Sequence, residues 1–369
     1  MILTEKHIIK RSNSLIYNEL DNLCFLSKNL YNSALYEIRQ HFFQTKKYLN
    51  KFKLINKFTK EHQKDYIALP RKVSQQVIYQ VDQNFKSFFS LVKNKKLYRK
   101  VKIPKYLNKN DRNILIYTNQ AISKKLLKEN LLKLSETNFT IKVQHTNINQ
   151  VRVIKRINCY VIEVLYEVNE PPLLKDNERY CGVDIGINNL ITVASNCTLP
   201  IIINGKPLKS INHFYNKKLA KLKSRQDKCK NKNVNKRKIE HLHFKRNNKV
   251  NDYLHKASKK LLNHLVSNQI NTVIIGLNKS WKQESKLGTK NNQNFIQIPH
   301  SKLIQMIKYK CLLEGITCIV REESYTSKCS FLDDEEICKH EHYLGKRIKR
   351  GLFKTHNRKS NKCRFKPEL

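Results

Sequence analysis

Residues Tyr180–Ser195 read YCGVDIGINNLITVAS. The stretch has the texture of two strands joined by a tight turn. Cys181, Val183 and Ile185 are apolar, and Ile191, Val193 and Ala194 resume the apolar pattern beyond Gly-Ile-Asn-Asn. Asp184 stands inside the first run. A carboxylate in a strand that otherwise reads as core costs several kcal/mol unless it is paired or metal-bound. Two readings are open. Asp184 starts the turn before Gly186, or it holds a divalent cation that offsets its burial and uses its charge.

Outward from this stretch, the region from Tyr180 to the end reads as α/β. Strands CGVDIGI, LITVASN and PIIIN come first, and a Lys-rich helical stretch follows from about Asn212 to Gln269. Strand INTVIIGL, polar loop NKSWKQESKLGTKNNQNF, helix PHSKLIQMIKYKCLLEG and strand ITCIVREESYTS complete it. Three consecutive strands, then helix–strand–helix–strand, is the ribonuclease-H-like order. In that fold an Asp on the first strand holds Mg²⁺ with acids from later strands. Two-metal sites cleave phosphodiesters by clamping the attacking and leaving oxygens, and they need several carboxylates.

Upstream, MILTEKHIIKR alternates like an edge strand. From about Ser14 to Leu97 the apolar period becomes helical, with Pro70 placed to open a second long helix. The basic stretch QTKKYLNKFKLINKFTKEHQKDY connects the two long helical runs. From Lys102 to about Val168 the runs are short, β-branched and separated by polar turns, as in a small barrel or sandwich. The N-terminal strand completes it, which makes the helices an insertion. NEPPLLKDNERY then links into the third region.

The 369 residues carry a formal net charge of +44, and 40% are hydrophobic. That excludes a disordered basic tail and predicts a folded protein of two or three domains. Its field draws in nucleic acid, with strong, salt-dependent phosphate contacts. Part of the Lys excess goes with an abundance of Asn and Ile that points to an AT-rich coding sequence. No apolar run is long enough to span a bilayer, and the N-terminus lacks a secretory core. The expectation is a cytoplasmic, nucleoid-associated protein with no membrane partner. Ten scattered cysteines contain no Cys-x-x-Cys pair, so free buried thiols are expected.

LCFLSKNLYNSALYEIRQ, LPRKVSQQVI, YCGVDIGINNLITVAS, FKRNNKVNDYLHKASKKL, VIIGLNKSWKQ, NNQNFIQIPHSKLIQMIKYK, EESYTSKCSFLDDEEI and GKRIKRGLFK occur in one order along nearly the whole chain. In that series the chain resembles the TnpB-type (OrfB) proteins of insertion sequences, a family of transposon-encoded, RNA-guided DNA endonucleases related to type V CRISPR effectors. The resemblance implies a multidomain α+β architecture. A wedge-like β-barrel (1–13 and 98–172) would carry an inserted helical recognition lobe (14–97), followed by a ribonuclease-H-like RuvC nuclease domain (178–369) with an incomplete C-terminus. The partners it implies are a guide RNA and double-stranded target DNA. The chemistry is Mg²⁺-dependent phosphodiester hydrolysis at a two-metal site, with base pairing to the guide supplying specificity.

Carried over by position, Asp184 matches the first RuvC carboxylate. Gly276 stands where many members have the second, a Glu. A subgroup carries that Glu in the ESYTSK motif, which is Glu323 here, two strand spacings or about 9–10 Å from the Asp184 strand. Strand alternation points its neighbour Glu322 the other way. Past RGLFK, family members continue into an NADVNGA-like stretch with a third catalytic Asp. Here the chain reads RGLFKTHNRKSNKCRFKPEL and no Asp follows Asp334. The expectation is therefore either a nuclease or a catalytically inactive, truncated nucleic-acid-binding derivative, with Asp333 or Glu322 as substitutes for the missing ligand.

Further positions carry paired readings. His255 and Lys256 in LHKASKK resemble a family motif facing nucleic acid, or form an ordinary exposed helix face. Trp281 and Lys282 stack a base and hold a phosphate, or anchor a loop. Lys346, Arg347, Lys349 and Arg350 line a heteroduplex channel or form a solvated patch. Cys329, Cys338, His340, His342, His356 and Cys363 are zinc-ligand types without finger spacing, so no zinc is expected.

Overall fold

The computed structural model describes residues 1–94, 101–229, 234–277, 288–323, 325–326, 328–330, 333–349, 352–356 and 360–362. The chain divides into two compact units, Met1–Asn169 and Glu170–Leu369. Both mix helix and strand.

In the first unit, β1 (Ile2–Lys10) is followed by α1 (Ser14–Thr45), α2 (Lys51–Lys60), α3 (Lys64–Ile67) and α4 (Arg71–Lys93). Then come β2 (Leu115–Thr118), α5 (Lys124–Leu127), β3 (Leu131–Leu132), β4 (Ile141–Lys142), β5 (Ile148–Lys155) and β6 (Cys159–Glu167). The main sheet has the order β1-β6-β5-β2. The N-terminal strand does complete it, pairing antiparallel with β6 from Ile2↔Glu167 to Lys10↔Cys159. The four helices thus interrupt the sheet in sequence, while in space α1 and α4 pack on it and α2 and α3 pack on those two helices. Leu20, Ile38, Phe58, Phe85, Tyr117, Val151 and Ile162 belong to one core drawn from helices and strands alike. β3 and β4 form a separate ribbon, and among the described residues no ladder joins β1 to β2 into a closed barrel.

Local sequence explains the helix starts. The chain before α4 turns at Pro70, whose ring fixes φ for an extended entry into the helix. The basic connector contains α2 because Asn50 caps it, its side chain accepting from the Lys53 amide, and because Leu54 and Phe58 fall on one face and bury.

The second unit opens with β7 (Tyr180–Asp184), β8 (Asn189–Ser195) and β9 (Ile201–Asn204). α6 (Lys206–Asp227), α7 (Lys236–Ser267), β10 (Thr272–Gly276), α8 (Thr289–Gln297), α9 (His300–Leu313) and β11 (Thr317–Arg321) follow. A small antiparallel sheet, β12 (Lys346–Lys349), β13 (Leu352–Lys354) and β14 (Ser360–Lys362), comes last. The five-stranded sheet has the order β11-β10-β7-β8-β9. β7, β8 and β9 form an antiparallel meander, and β10 and β11 run parallel to β7. Each parallel return needs a crossover, supplied by α6–α7 and by α9. Val183, Val193, Leu261, Ile275, Leu303 and Ile307 share its core. With this order, the C-terminal ends of β7, β10 and β11 lie side by side, the edge where open α/β sheets place their sites.

Candidate active site

Asp184 is the last residue of β7, opposite Thr192 of β8. Its carboxyl reaches solvent but is crowded by surrounding protein, and that burial pushes its pKa up, while a hydrogen bond from the Ile185 amide works the other way. The turn that follows is tightly built. A Cβ on Gly186 would fall 2.6 Å from the Asn189 carbonyl oxygen, and one on Gly205 would fall 2.1 Å from that of Ile187. The Gly205 amide donates to the Asn188 carbonyl at 2.7 Å. Only glycine fits where these backbones meet.

β10 brings Gly276 to the same level. The register Ile275↔Val183 makes Gly276 the next residue beside Asp184, and level residues of neighbouring strands share a face. On the far side Gly276 pairs with Arg321, and the Leu277 amide donates to the Arg321 carbonyl at 2.9 Å. Two residues on, Glu323 folds back over β10. A Cβ on Gly276 would lie 1.6 Å from Glu323 Oε1, 2.2 Å from its Cδ and 2.4 Å from its Cγ. The Glu323 carboxylate therefore fills the volume that a side chain at position 276 would occupy. β11 stays two strands from β7, as expected, and the missing side chain at 276 leaves room for Glu323 over β10, the strand beside Asp184. Glu322 is exposed beside it.

One contributor was not singled out in the sequence. His300, 1% exposed at the start of α9, brings Nε2 to 3.3 Å from the Gly186 carbonyl oxygen and packs on Phe295 with ring centroids 5.8 Å apart. It ties α9 to the turn after Asp184. Its only sequence signal is a His directly after the helix-opening Pro299.

The other candidates stand apart from this pair. His255 and Lys256 lie on the exposed face of α7, with Lys256 Nζ held by Asp252 at 2.8 Å. Lys346 and Arg347 are exposed on β12. Lys349 closes that strand, and Trp281, Lys282, Arg350 and Cys363 lie outside the described residues or side chains. Asp333 is committed locally, accepting from the Ser330 hydroxyl and, at 3.0 Å, the His356 amide, which hold it below the usual carboxylate range. Buried Cys329 donates to the Cys338 carbonyl at 3.6 Å, and Cys338 Sγ lies 3.3 Å from His340 Nε2. His342 is exposed. Among the described residues no group of three or more His, Cys, Asp or Glu is arranged to hold a metal ion, and no helix is long and apolar enough to cross a membrane.

The whole fold is of a known kind. It is similar to that of a Cas12f1–sgRNA–target DNA complex solved by cryo-EM, with a TM-score of 0.56 at 13% identity over 89% of this chain and 77% of that one. A second cryo-EM structure, a CRISPR-Cas12f ternary complex, aligns over 89% of this chain and 74% of that one at 15% identity and a TM-score of 0.34. No curated protein matches the chain. The class is thus a mixed α/β, Cas12f-like fold. Residues 163–282 match the family OrfB_IS605, described as a probable transposase. That stretch runs from β6 through Asp184 and Gly276, so about a third of the chain is similar to this transposase family.

Proposed function

We propose that the chain is an RNA-guided DNA endonuclease whose second unit is a RuvC-type nuclease domain centred on Asp184 and Glu323. In this reading the sheet and helices of the first unit serve as wedge (1–13 and 98–172) and recognition lobe (14–97), and residues 178–369 form the nuclease. The observation that carries the proposal is the Glu323 carboxylate seated over Gly276, level with Asp184. Two acids brought together at the C-terminal edge of parallel strands, one pushed up by burial and neither placed there by packing needs, fit a hard divalent cation such as Mg²⁺. A bound cation would acidify water and stabilise charge on a phosphoryl oxygen. The chain's own contribution is to fix the two carboxylates, with His300 holding the turn behind Asp184 and Gly276 leaving room for Glu323.

The basic surface supplies the partners' electrostatics. With +44 charges, guide RNA and double-stranded target DNA are the natural polyanions, and the nucleoid is the place of action. His255, Lys256, Lys346 and Arg347 are proposed backbone contacts, joined by Trp281, Lys282 and Arg350. A second reading, a guide-dependent DNA binder that does not cut, is favoured by one observation. Only two acids converge at this edge among the described residues, and Mg²⁺ is held weakly by so few. Cleavage of a guide-matched duplex with and without Mg²⁺, beside a binding assay, separates the readings. Mg²⁺-dependent cutting lost in Asp184→Ala supports the nuclease. Binding without cutting supports the second reading, and guide-independent behaviour in both assays removes the proposal.

A further inference from the structure

α1 carries an exposed aromatic stripe that the nuclease site does not use. Tyr36, Arg39 and Phe43 recur at helical spacing on one face of the helix, with Tyr36 53% and Phe43 48% exposed. Large rings left at half exposure contribute little to the core. The extended segment after α4 lays a further ring beside them. Tyr106, 42% exposed, sits with its centroid 4.9 Å from the Arg39 guanidinium, which lies 5.7 Å from the Phe43 ring. Arg39 is thus flanked by two rings.

This arrangement is fixed in advance. One turn before Tyr36, the Asn32 side chain makes a reciprocal pair with Leu107, Nδ2 donating to its carbonyl at 3.0 Å and Oδ1 accepting from its amide at 2.9 Å. Buried Lys28 donates to the Lys109 carbonyl at 3.2 Å. The segment that carries Tyr106 is therefore pinned along α1 directly after that ring, at Leu107 and Lys109. Glu37, the acid within the stripe, is engaged by Lys57 of α2 at 2.5 Å. Lys102, Lys105 and Lys109 of the pinned segment are exposed and alternate with its aromatic residue.

Preformed rings for stacking, interleaved with free-standing cations, match the chemistry of a single-stranded nucleic acid and not that of a duplex, whose bases are already stacked on one another. Building on the reading of the chain as an RNA-guided protein, we propose that Tyr36, Arg39, Phe43 and Tyr106 form a stacking platform for unpaired bases of single-stranded RNA, with Lys102, Lys105 and Lys109 taking the adjacent phosphates. Among the polyanions proposed as partners, the guide presents unpaired bases as a single strand before any DNA is opened, and the oligodeoxyadenylate arm below separates it from a displaced DNA strand. Charge complementarity argues against an apolar or basic protein partner.

The test measures binding of the full chain to an oligoadenylate RNA, to the same strand in an RNA duplex, and to oligodeoxyadenylate, across a salt series. Tyr106→Ala should weaken single-stranded RNA binding roughly 5- to 150-fold and leave the slope of log affinity against log salt unchanged, because stacking releases no counterions. Tyr106→Trp should restore the affinity, and both variants are checked by thermal melting. The triple change Lys102→Gln, Lys105→Gln, Lys109→Gln should instead lower the slope by about two. Unchanged affinity in a folded Tyr106→Ala overturns the proposal. So does an equal loss on the duplex, which would mean that the surface reads backbone only, and so does an equal loss on DNA, which would move the occupant to the other nucleic acid. Wild-type protein that binds none of the three probes would remove the RNA-guided reading itself.

Discussion

Asp21 on α1 and Asp184 on β7 are both partly enclosed carboxylates, and their surroundings drive them in opposite directions. Burial raises the Asp21 pKa, but its partners outweigh that. Arg112 donates from Nε at 3.0 Å and Nη2 at 2.5 Å, Lys155 Nζ from 2.6 Å and the Tyr160 hydroxyl from 2.7 Å, and together they bring it to about 2. Burial raises Asp184 too, with only the Ile185 amide against it, so it stays raised. The first charge is used up inside the fold, tying α1 to β5, β6 and the segment at Arg112. The second has no such set of donors, and in the reading proposed above its charge is used by a bound cation. Nothing in residue type separates these two aspartates; the count of donors around each does.

The largest effect expected from sharpening this contrast comes from moving the second acid. Glu323→Gly should lower Mg²⁺-dependent cleavage on the order of a thousandfold, the scale of losing a metal-positioning carboxylate. Gly276→Glu alone would drive its side chain into Glu323 and should destabilise the second unit by about 1–3 kcal/mol. The double variant returns one carboxylate to one volume and should recover both melting temperature and rate. Additive losses in that cycle would show that Glu323 does not substitute for a side chain at 276. The stability arm of the cycle reads out even for a chain that binds without cutting.

Asp21 should behave as a structural anchor. Asp21→Ala leaves Arg112, Lys155 and the Tyr160 hydroxyl without their shared acceptor, and about 2–3 kcal/mol of stability should go with it. Guide-directed cleavage at low temperature should be unaffected. The pH sign follows from the depressed value. A carboxylate at about 2 when folded and 3.8 when free contributes stability above pH 3.8 and loses it as pH falls toward 2. That contribution is at most about 2 kcal/mol after solvent screening, since Asp21 is 24% exposed. Acid titration of the wild type should therefore show a loss that Asp21→Ala lacks.

The same contrast marks what was legible in the sequence. The order of strands in the second unit, the N-terminal strand joining the first unit's sheet and the helix start at Pro70 were readable, because alternation, apolar period and proline chemistry are local. Asp184 drew notice as a polar residue in an apolar run. Asp21 did not, because an acid on an amphipathic helix looks like an ordinary solvated position, and its partners Arg112, Lys155 and Tyr160 are 91 to 139 residues away. His300 was missed for the same reason, being 114 residues from Gly186. The two-strand spacing between the segments that carry the candidate acids was legible, but spacing along strands does not show the Glu323 side chain folding back over Gly276. The small β12–β14 sheet was read as a charge run, since Lys and Arg dominate its first strand.

The smallest effect concerns Asp184 itself. A carboxyl whose folded pKa is raised has its full stability below the unfolded value of 3.8 and loses some as pH climbs through the folded value. Asp184→Asn removes that loss. The variant should match the wild type in acid and equal or slightly exceed it at neutral pH, by no more than about 0.5 kcal/mol, the range of surface changes. Mg²⁺ sharpens the reading. An ion that binds only the folded chain stabilises it by mass action, so millimolar Mg²⁺ should raise the wild-type melting temperature and leave Asp184→Asn unmoved. Marked destabilisation of the variant at neutral pH, with the same Mg²⁺ response as the wild type, would assign Asp184 to the turn before Gly186. The contrast with Asp21 would then collapse into two structural carboxylates.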